Sequence, residues 1–418
     1  MNYKYQLTPT QTKTVALRNN SFVWPDYITD SNTVLFKTDV RDKFLRKLVL
    51  PYVKFICTGT ARRAPAHYLE RQNHGARYFN LTDLAQKITP GQLVKLSSNR
   101  LQFADQAEIQ IFHNDIPDDA TVLVIAPHPD DAEIAAFGFY GRHNSHIVTI
   151  TAGEGPGRTK YQELYSQDMR EQCLFKAKIR LLDSILVPIR AGIKPQQVVN
   201  LGYFNDTLSD MYAEPTQPVV SRFAGTEDVN DFRRFNIANN VPACSGPATW
   251  ESLQTDLVQF ISTIKPDIIV TPHPVLDKNS DHRMSTVAVC QALKQCAISN
   301  GQFLFYVIHS TYSSRYPYGS IHTPVTLPPN FMDFSLEHGI YSHPLSREQQ
   351  INKMFALDNM HELRHEPNLR CTIKQALRQK ISRQHRHASA WHDFYRKAVR
   401  SNELFFTAPF DCHTVIPA

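Results

Sequence analysis

The sequence predicts an α/β fold in which a doubly wound, Rossmann-like layer follows a β-rich domain and precedes a helical extension. Three observations support this prediction. Short alternating runs separated by turn residues fill the first part of the chain. Continuous apolar runs alternate with helical patterns in the middle, and the last part has a helical pattern. At 418 residues the chain is long enough for two or three separate cores.

Residues 1–118 form the predicted β-rich domain, because they lack helical periodicity. Short β-branched or aromatic runs, such as residues 32–37 and 52–57, alternate there with Pro and Gly. Many short strands with such turns are typical of a β-sandwich. Two interpretations stay open. The domain is either an extension packed on the next domain, or a module that positions a glycan or a partner.

Residues 119–345 form the predicted doubly wound domain. Strands buried on both faces of a parallel sheet are continuous apolar runs, and five such runs occur, at residues 121–126, 145–151, 185–189, 267–271 and 303–308. Helical patterns lie between them, at residues 132–141, 163–180, 250–264 and 282–297. This alternation is typical of an α/β layer. The stretch 205–247 is too long for an ordinary connection and is predicted to be a lid or a substrate loop.

Residues 346–418 are predicted to be a helical, basic extension that packs on the α/β domain. Residues 370–400 hold nine Lys or Arg and one Asp, a local charge of 9 − 1 = +8, against +6 for the chain. The run is either a solvated helix on the core or a patch for anionic membrane lipids or phosphate groups. No nucleic-acid recognition motif accompanies the charge, so a nucleic-acid partner is not expected.

The first residues lack the apolar run of a signal peptide, and no stretch approaches the roughly 20 apolar residues of a membrane span. The seven Cys are scattered without a Cys-x-x-Cys pair. We therefore expect a cytoplasmic protein with reduced thiols and no cysteine-ligated metal. The sequence does not indicate the oligomeric state.

Two predicted strand ends carry residues suited to metal chemistry. The strand 121–126 runs into His128, Asp130 and Asp131, directly before a predicted helix, and the strand 267–271 leads to Asp281 and His282. Ligands bind beyond the carboxyl ends of strands in open α/β sheets. Together the two clusters supply a His/Asp/His set, which suits zinc with a fourth position left for water.

This combination resembles the PIG-L / LmbE-like zinc deacetylases, which hydrolyse the acetamide of N-acetylglucosamine-type sugars. The resemblance covers roughly residues 122–357, and its first motif is Pro-His-Pro-Asp-Asp at residues 127–131. Weaker matches are Thr-Ala-Gly-Glu-Gly from Thr151, Leu-Gly-Tyr from Leu201, Lys-x-x-Ala-Leu from Lys353, and Arg170 with Ala177 on one helix. In that helix Cys173 stands where the family has Glu.

The resemblance implies a role for each residue at the two strand ends. His128, Asp131 and His282 would hold Zn²⁺, and Asp130 would be the general base that takes a proton from the attacking water and returns it to the leaving amine. One carboxylate is thus consumed by the metal, while its neighbour remains free to move protons.

One position departs from the family, which has His three residues before the last ligand. Asn279 stands there and can donate N–H to an oxyanion, but it cannot be a charged acid. Either Asp130 moves all the protons, or another imidazole, with His273 as first candidate, takes the acid role. Asp277 either orients His282 or is a turn residue.

We therefore expect a zinc-dependent deacetylase that acts on an N-acetylated amino sugar or a glycoconjugate precursor. Two alternatives stay open. One is a carbohydrate-binding member of the fold with weak or no turnover, and the other is a zinc amidase for an antibiotic-like or thiol-precursor amide. The rim residues that would distinguish substrates lie in variable loops.

Overall fold

The protein is described from a computed structural model that covers residues 1–26, 32–43, 50–57, 64–71, 73–156, 164–238, 246–334, 336–363 and 393–412. Within these residues the fold is mixed α/β, with fifteen strands and nine α-helices. The mixed α/β class and the β-rich first domain agree with the prediction. Every helix in the described ranges is too short or too polar to cross a membrane.

The β-rich domain consists of two four-stranded antiparallel sheets that share one core. Its strands are β1 (Gln11–Ala16), β2 (Ser21–Val23), β3 (Asn32–Asp42), β4 (Tyr52–Cys57), β5 (Ala66–Tyr68), β6 (His74–Asn80), β7 (Leu93–Ser98) and β8 (Leu101–His113), with helix α1 at Thr82–Ala85. The sheet orders are β1-β8-β3-β6 and β2-β7-β4-β5. The rings of Phe36 on β3 and Phe55 on β4 lie 5.2 Å apart, so the two sheets face each other.

A seven-stranded sheet forms the centre of the second domain, in the order β11-β10-β9-β12-β13-β15-β14. Its strands are β9 (Thr121–Ala126), β10 (Asn144–Thr151), β11 (Val198–Tyr203), β12 (Ile268–Pro272), β13 (Gln302–Tyr306), β14 (Gly339–Pro344) and β15 (Asn402–Pro409). The first five strands in this order are parallel, whereas β15 is antiparallel to both of its neighbours. The sheet is therefore mostly parallel.

Helices cover both faces of this sheet. They are α2 (Asp131–Tyr140), α3 (Met169–Leu186), α4 (Leu208–Ala213), α5 (Asn230–Arg233), α6 (Trp250–Ile264), α7 (Ser280–Gln295), α8 (Arg347–Asn359) and α9 (Asp393–Ala398). Side chains of β9 alternate between two cores: Val124 packs in the cluster that contains Phe137 of α2, and Ile125 packs in the one that contains Leu257 of α6. Burying each such side chain contributes about 1.5–3 kcal/mol, which fixes the register of the strand.

The predicted strand at residues 185–189 is wrong. The chain there ends α3 and continues as a 3₁₀ helix at Val187–Ala191, and the third strand of the layer is β11 instead. The physical reason lies in the spacing of four fully buried residues on α3, which are Cys173, Ala177, Leu181 and Ile185. A spacing of four places them on one helical face, so Ile185 belongs to the helix that packs on the sheet.

The prediction of a helical extension after residue 346 is only partly right. Helices α8 and α9 and a 3₁₀ helix at His361–Leu363 occur, but β15 lies inside the central sheet between β13 and β14. Glu403 of β15 forms a buried ion pair of 2.7 Å with Lys353 of α8. The extension thus completes the sheet. Of the basic run 370–400, residues 370–392 lie outside the described residues.

The β-rich domain packs directly on the central sheet. Asn80 Nδ2 donates to the Ser342 hydroxyl of β14 at 2.8 Å and to the carbonyl of Val325 at 3.1 Å. Leu7 forms a parallel bridge with His338, next to β14. These contacts support the first of the two interpretations of this domain, an extension packed on its neighbour.

Candidate metal centre

His128, Asp131 and His282 lie close together and buried, beyond the carboxyl ends of two central strands of the sheet. His128 Nδ1 lies 3.1 Å from Asp131 Oδ2 and 3.2 Å from His282 Nε2. His282 Nε2 lies 3.1 Å from the same Asp131 oxygen. Tetrahedral ligands at zinc bond lengths are about 3.3 Å apart. The three donor atoms therefore fit one such ion.

The sheet topology brings these residues together. β9 and β12 are adjacent parallel strands, so the turns that follow them meet at the same edge. After β9, the His128 carbonyl accepts the backbone N–H groups of Asp130 and Asp131, which closes the tight turn before α2. After β12, Asn279 is the N-cap of α7, and its Oδ1 accepts the backbone N–H of His282. The hydrogen bonds of these two turns thus hold His128 and Asp131 on one side, and His282 on the other, facing the same point.

Each imidazole also contacts a carboxylate through its outer nitrogen. His128 Nε2 lies 3.3 Å from Asp281 Oδ2, and His282 Nδ1 lies 3.2 Å from Asp277 Oδ2. Such outer partners hold the ring orientation and tautomer of metal-binding imidazoles. Of the two interpretations of Asp277 from the sequence, this contact supports the orienting one.

Both outer carboxylates are themselves fixed by backbone donors. Asp281 accepts the N–H groups of Asp206 at 2.7 Å and Leu208 at 3.3 Å. Asp277 Oδ2 accepts the N–H groups of Ile308 and His309, each at 3.0 Å. The segment that contains Asp206 lies in the predicted substrate loop, so this loop is tied to the site through Asp281.

The electrostatics of the cluster favour a cation at its centre. Burial opposes protonation of His128, but its contacts with Asp131 and Asp281 outweigh burial and raise its pKa to about 9. Burial likewise opposes protonation of His282, yet Asp131 and Asp277 raise its pKa well above the usual value. Burial would raise the pKa of Asp131, but His282 and His128 hold it well below the usual range. The carboxylates thus attract positive charge, which a metal ion supplies.

Asp130 stands beside the three donor atoms and pairs with Arg180 instead. Asp130 Oδ1 lies 3.2 Å from Arg180 Nη2, and Arg180 Nη1 donates to the Gly153 carbonyl at 3.1 Å. Burial raises the pKa of Asp130, and the charge of Arg180 acts in the opposite direction. Sequence reasoning missed Arg180. It is one of several charged side chains buried on α3, with Lys176 and Asp183 as the others.

An open pocket of about 250 Å³ lies over the cluster. Its lining comes from both strand ends, the predicted substrate loop and the C-terminal extension. The lining residues are His128, Asp130, Asp131, Ile134, Arg180, Asn205, Asp206, Asn279, Ile308, His309, Glu362, Leu363 and Phe394. The extension therefore shapes the pocket as well as the sheet, a role that the sequence did not indicate.

Asn279 and His273 have different surroundings. Asn279 lines the pocket, with its Oδ1 turned to the backbone of α7. His273 is fully buried, its Nε2 lies 2.9 Å from Nε2 of His338, and its Nδ1 accepts the N–H groups of Val275 and Leu276. Both of its ring nitrogens are thus occupied away from the pocket. The structure does not support the catalytic role predicted for His273.

His309 is the imidazole that sequence reasoning missed. It lines the pocket, and its ring centroid lies 4.9 Å from that of His282. A signal was present, because His309 follows β13 by three residues and β13 is the next parallel strand after β12. A polar residue beyond a strand of the same sheet reaches the same edge.

Residues 123–293 match the family model described as PIG-L: GlcNAc-PI de-N-acetylase. No curated protein matches the chain. Among solved structures, the zinc-inhibited form of teicoplanin deacetylase Orf2 is 12% identical, with a TM-score of 0.36 over 70% of this chain and 99% of that one. GalB, the 4-carboxy-2-hydroxymuconate hydratase from Pseudomonas putida KT2440, is 13% identical, with a TM-score of 0.31 over 72% and 97%.

The matched range includes both strand ends and all three converging residues. It supports an amide-hydrolysing, deacetylase role for this domain. Over residues 123–293 the chain therefore matches the PIG-L family, as the sequence predicted.

Proposed function

We propose that the protein is a zinc-dependent hydrolase that removes the acetyl group from an N-acetylated amino sugar or a glycoconjugate precursor. The observation that carries the proposal is the triangle of donor atoms from His128, Asp131 and His282, with Asp130 beside it and outside it. One carboxylate is then a ligand, and the other is left to move protons.

Zinc is the proposed metal because two imidazoles and one carboxylate are ligands that it takes at catalytic sites. His128, Asp131 and His282 would hold the ion, while Asp281 and Asp277 keep the two rings oriented. When bound there, zinc polarises a carbonyl and makes water a stronger nucleophile.

The remaining steps belong to side chains of this protein. Asp130 takes a proton from the water that attacks the acetyl carbonyl, and then returns it to the nitrogen of the leaving amine. Arg180 holds the Asp130 carboxylate at the pocket wall. Overall, water adds to the carbonyl carbon, the C–N bond breaks, and acetate and a free amine leave.

The lining supports a hydroxyl-rich substrate. Carboxylate, amide and guanidinium groups surround the pocket, with apolar area from Ile134, Ile308, Leu363 and Phe394. Groups such as Asp206, Asn205 and Glu362 are suited to hydrogen bonds with sugar hydroxyls, while one apolar wall suits a ring face.

The test is acetate release from a panel of N-acetyl sugars, among them N-acetylglucosamine and diacetylchitobiose. The Asp130→Asn variant should keep its zinc and lose about a hundredfold or more of its rate, since general bases contribute that much. Asp118→Asn is the control, because Asp118 is exposed and precedes the amino end of β9, whereas His128 follows its carboxyl end. Full activity of Asp130→Asn would eliminate the proposed base.

One observation favours a second candidate, a carbohydrate-binding member of the fold with little or no turnover. Asn279 stands where the family has His, and its Oδ1 already accepts from the backbone of His282. A wild type that binds the sugars of the panel without releasing acetate would support this candidate. Acetate release from an antibiotic-like or thiol-precursor amide alone would instead support an amidase with another substrate.

A further inference from the structure

We propose that the imidazole of His309 donates the hydrogen bond to the oxyanion of the tetrahedral intermediate, in place of the imidazole that is absent at Asn279. The inference rests on the proposed function, and it names a further catalytic residue for that reaction. It concerns a hydrogen bond only, because Asp130 transfers the protons.

His309 lies at the same end of the sheet as the proposed ligand His282, because each follows the carboxyl end of its strand. β12 leads to His282 and β13 leads to His309, and these two strands are parallel neighbours. The turns after them are joined by an antiparallel bridge between Asp277 and Ser310, and the Lys278 N–H donates to the His309 carbonyl at 2.8 Å. The backbone of His309 is thus held on both sides.

Asp277 contacts both the backbone of His309 and the imidazole of His282. Its Oδ2 accepts the backbone N–H of His309 at 3.0 Å, and the same oxygen lies 3.2 Å from Nδ1 of His282. The two rings meet edge to face with centroids 4.9 Å apart. A shift of His309 relative to the ligand would therefore require Asp277 to move as well.

The His309 side chain lines the pocket, where a ligand can reach it. It is half-buried in the pocket wall, and within the described residues no side chain or backbone group is hydrogen-bonded to its nitrogens. His273 differs, since both of its ring nitrogens are occupied. The ring nitrogens of a half-buried imidazole without a protein partner are left to water or to a substrate oxygen.

Other polar groups of the pocket are less suited to this role. Arg180 is paired with Asp130 and bonded to the Gly153 carbonyl. Asn279 uses its Oδ1 to cap α7, so only its Nδ2 is left as a donor, and the capping contact limits where that amide can turn. Preorganised donors of this kind are worth about a hundred- to a thousandfold in rate. Loss of the His309 donor should therefore be clearly measurable.

The test uses the full chain with zinc bound and N-acetylglucosamine or diacetylchitobiose as probe. We compare His309→Ala, His309→Gln and the double variant His309→Ala with Asn279→His. The expected result is a kcat about a hundredfold lower for His309→Ala with little change in KM, and partial activity for His309→Gln. Restored kcat in the double variant would show that position 279 can supply the same donor.

Two further readouts separate a donor from a structural role. Zinc affinity, measured by competition with a chromophoric chelator, should be unchanged in His309→Ala. Affinity for a methylphosphonamidate of glucosamine, a mimic of the tetrahedral intermediate, should fall by a factor similar to that in kcat. If zinc affinity fell together with kcat, or if kcat did not change, the donor role would be overturned.

Failure of the inference differs from failure of the proposed function. An active wild type with an equally active His309→Ala variant removes only the inference. A zinc-loaded wild type that releases no acetate from any probe removes the proposed function, and the oxyanion donor with it.

Discussion

Asp281 Oδ2 lies 3.3 Å from Nε2 of His128, although the two residues are 153 positions apart in the chain. A residue of the second strand-end cluster therefore orients a proposed ligand from the first. Asp281 also accepts the backbone N–H of Asp206 in the loop over the pocket. The metal centre and the substrate loop thus share one carboxylate.

Asp281→Asn should lower zinc affinity by roughly ten- to a hundredfold, because outer partners of metal-binding imidazoles contribute that much. The amide keeps the shape of the carboxylate but loses its charge beside His128. Chelator competition measures the affinity. Asp210→Asn is the control, since Asp210 is half-exposed and paired with Arg222. Equal affinities for the two variants would contradict the orienting role.

Arg180→Met should lower kcat by about tenfold or more and leave zinc affinity unchanged. The reason is that Arg180 pairs with Asp130, so its loss frees the base, whereas the three donor atoms come from other side chains. Arg180→Lys should retain part of the rate. Steady-state acetate release gives kcat. A variant that loses its zinc would show that Arg180 supports the ligands instead.

Glu403→Gln should destabilise the domain by about 3–5 kcal/mol, because it leaves a buried Lys353 without its counter-charge. Both side chains of this pair are only 1% exposed. Glu403 also accepts the N–H groups of Gly138 and Phe139 in the helix that begins at Asp131. Urea unfolding measures the free energy.

The exposed pair of Asp118 and Arg142 is the matched control for that experiment, since such pairs contribute about 0–1 kcal/mol. Asp118→Asn should therefore barely change the unfolding free energy. The double variant Lys353→Met with Glu403→Gln should recover part of the lost stability. If Glu403→Gln and Asp118→Asn changed the unfolding free energy equally, the buried pair of β15 would not stabilise the domain as proposed.

Acid should destabilise the fold through the buried pair of His273 and His338. Burial lowers the pKa of His338 from 6.5 to about 3, while the unfolded chain keeps the ordinary value. Below the ordinary pKa the unfolded state binds more protons, so stability is full above it and falls as the pH decreases. His338 alone should cost about 2 kcal/mol between about pH 6.5 and pH 4.5.

His338→Gln should accordingly show a shallower loss of unfolding free energy over this pH range. His74→Gln, at an exposed position, is the control and should keep the slope of the wild type. Urea unfolding at several pH values gives both slopes. Equal slopes for His338→Gln and the wild type would show that His338 does not cause the loss of stability in acid.

The sequence predicted the elements whose signals are local. Helix α6 has its predicted bounds, because Thr249 caps it through the N–H of Ser252 and its apolar face has helical spacing. The convergence of His128 and His282 was also predictable, since strand ends of a parallel sheet share one edge.

The features that the sequence did not predict depend on contacts between distant residues. Residues 185–189 are an apolar run whose length suits either a strand or the end of a helix. The packing of Ile185 against the sheet, which the sequence does not show, makes it the end of a helix. The strand β15 needs β13 and β14 as neighbours. The pairing of Arg180 with Asp130 likewise depends on tertiary structure, whereas the position of His309 after β13 was a signal that the sequence carried.

The most direct test of the central claim is the zinc content of the purified protein and of its ligand variants, measured by elemental analysis after zinc loading and dialysis. The account predicts one zinc per wild-type chain and loss of that zinc in His128→Ala and His282→Ala, while His74→Ala keeps it. A wild type that takes up no zinc, or ligand variants that retain a full equivalent, would contradict it.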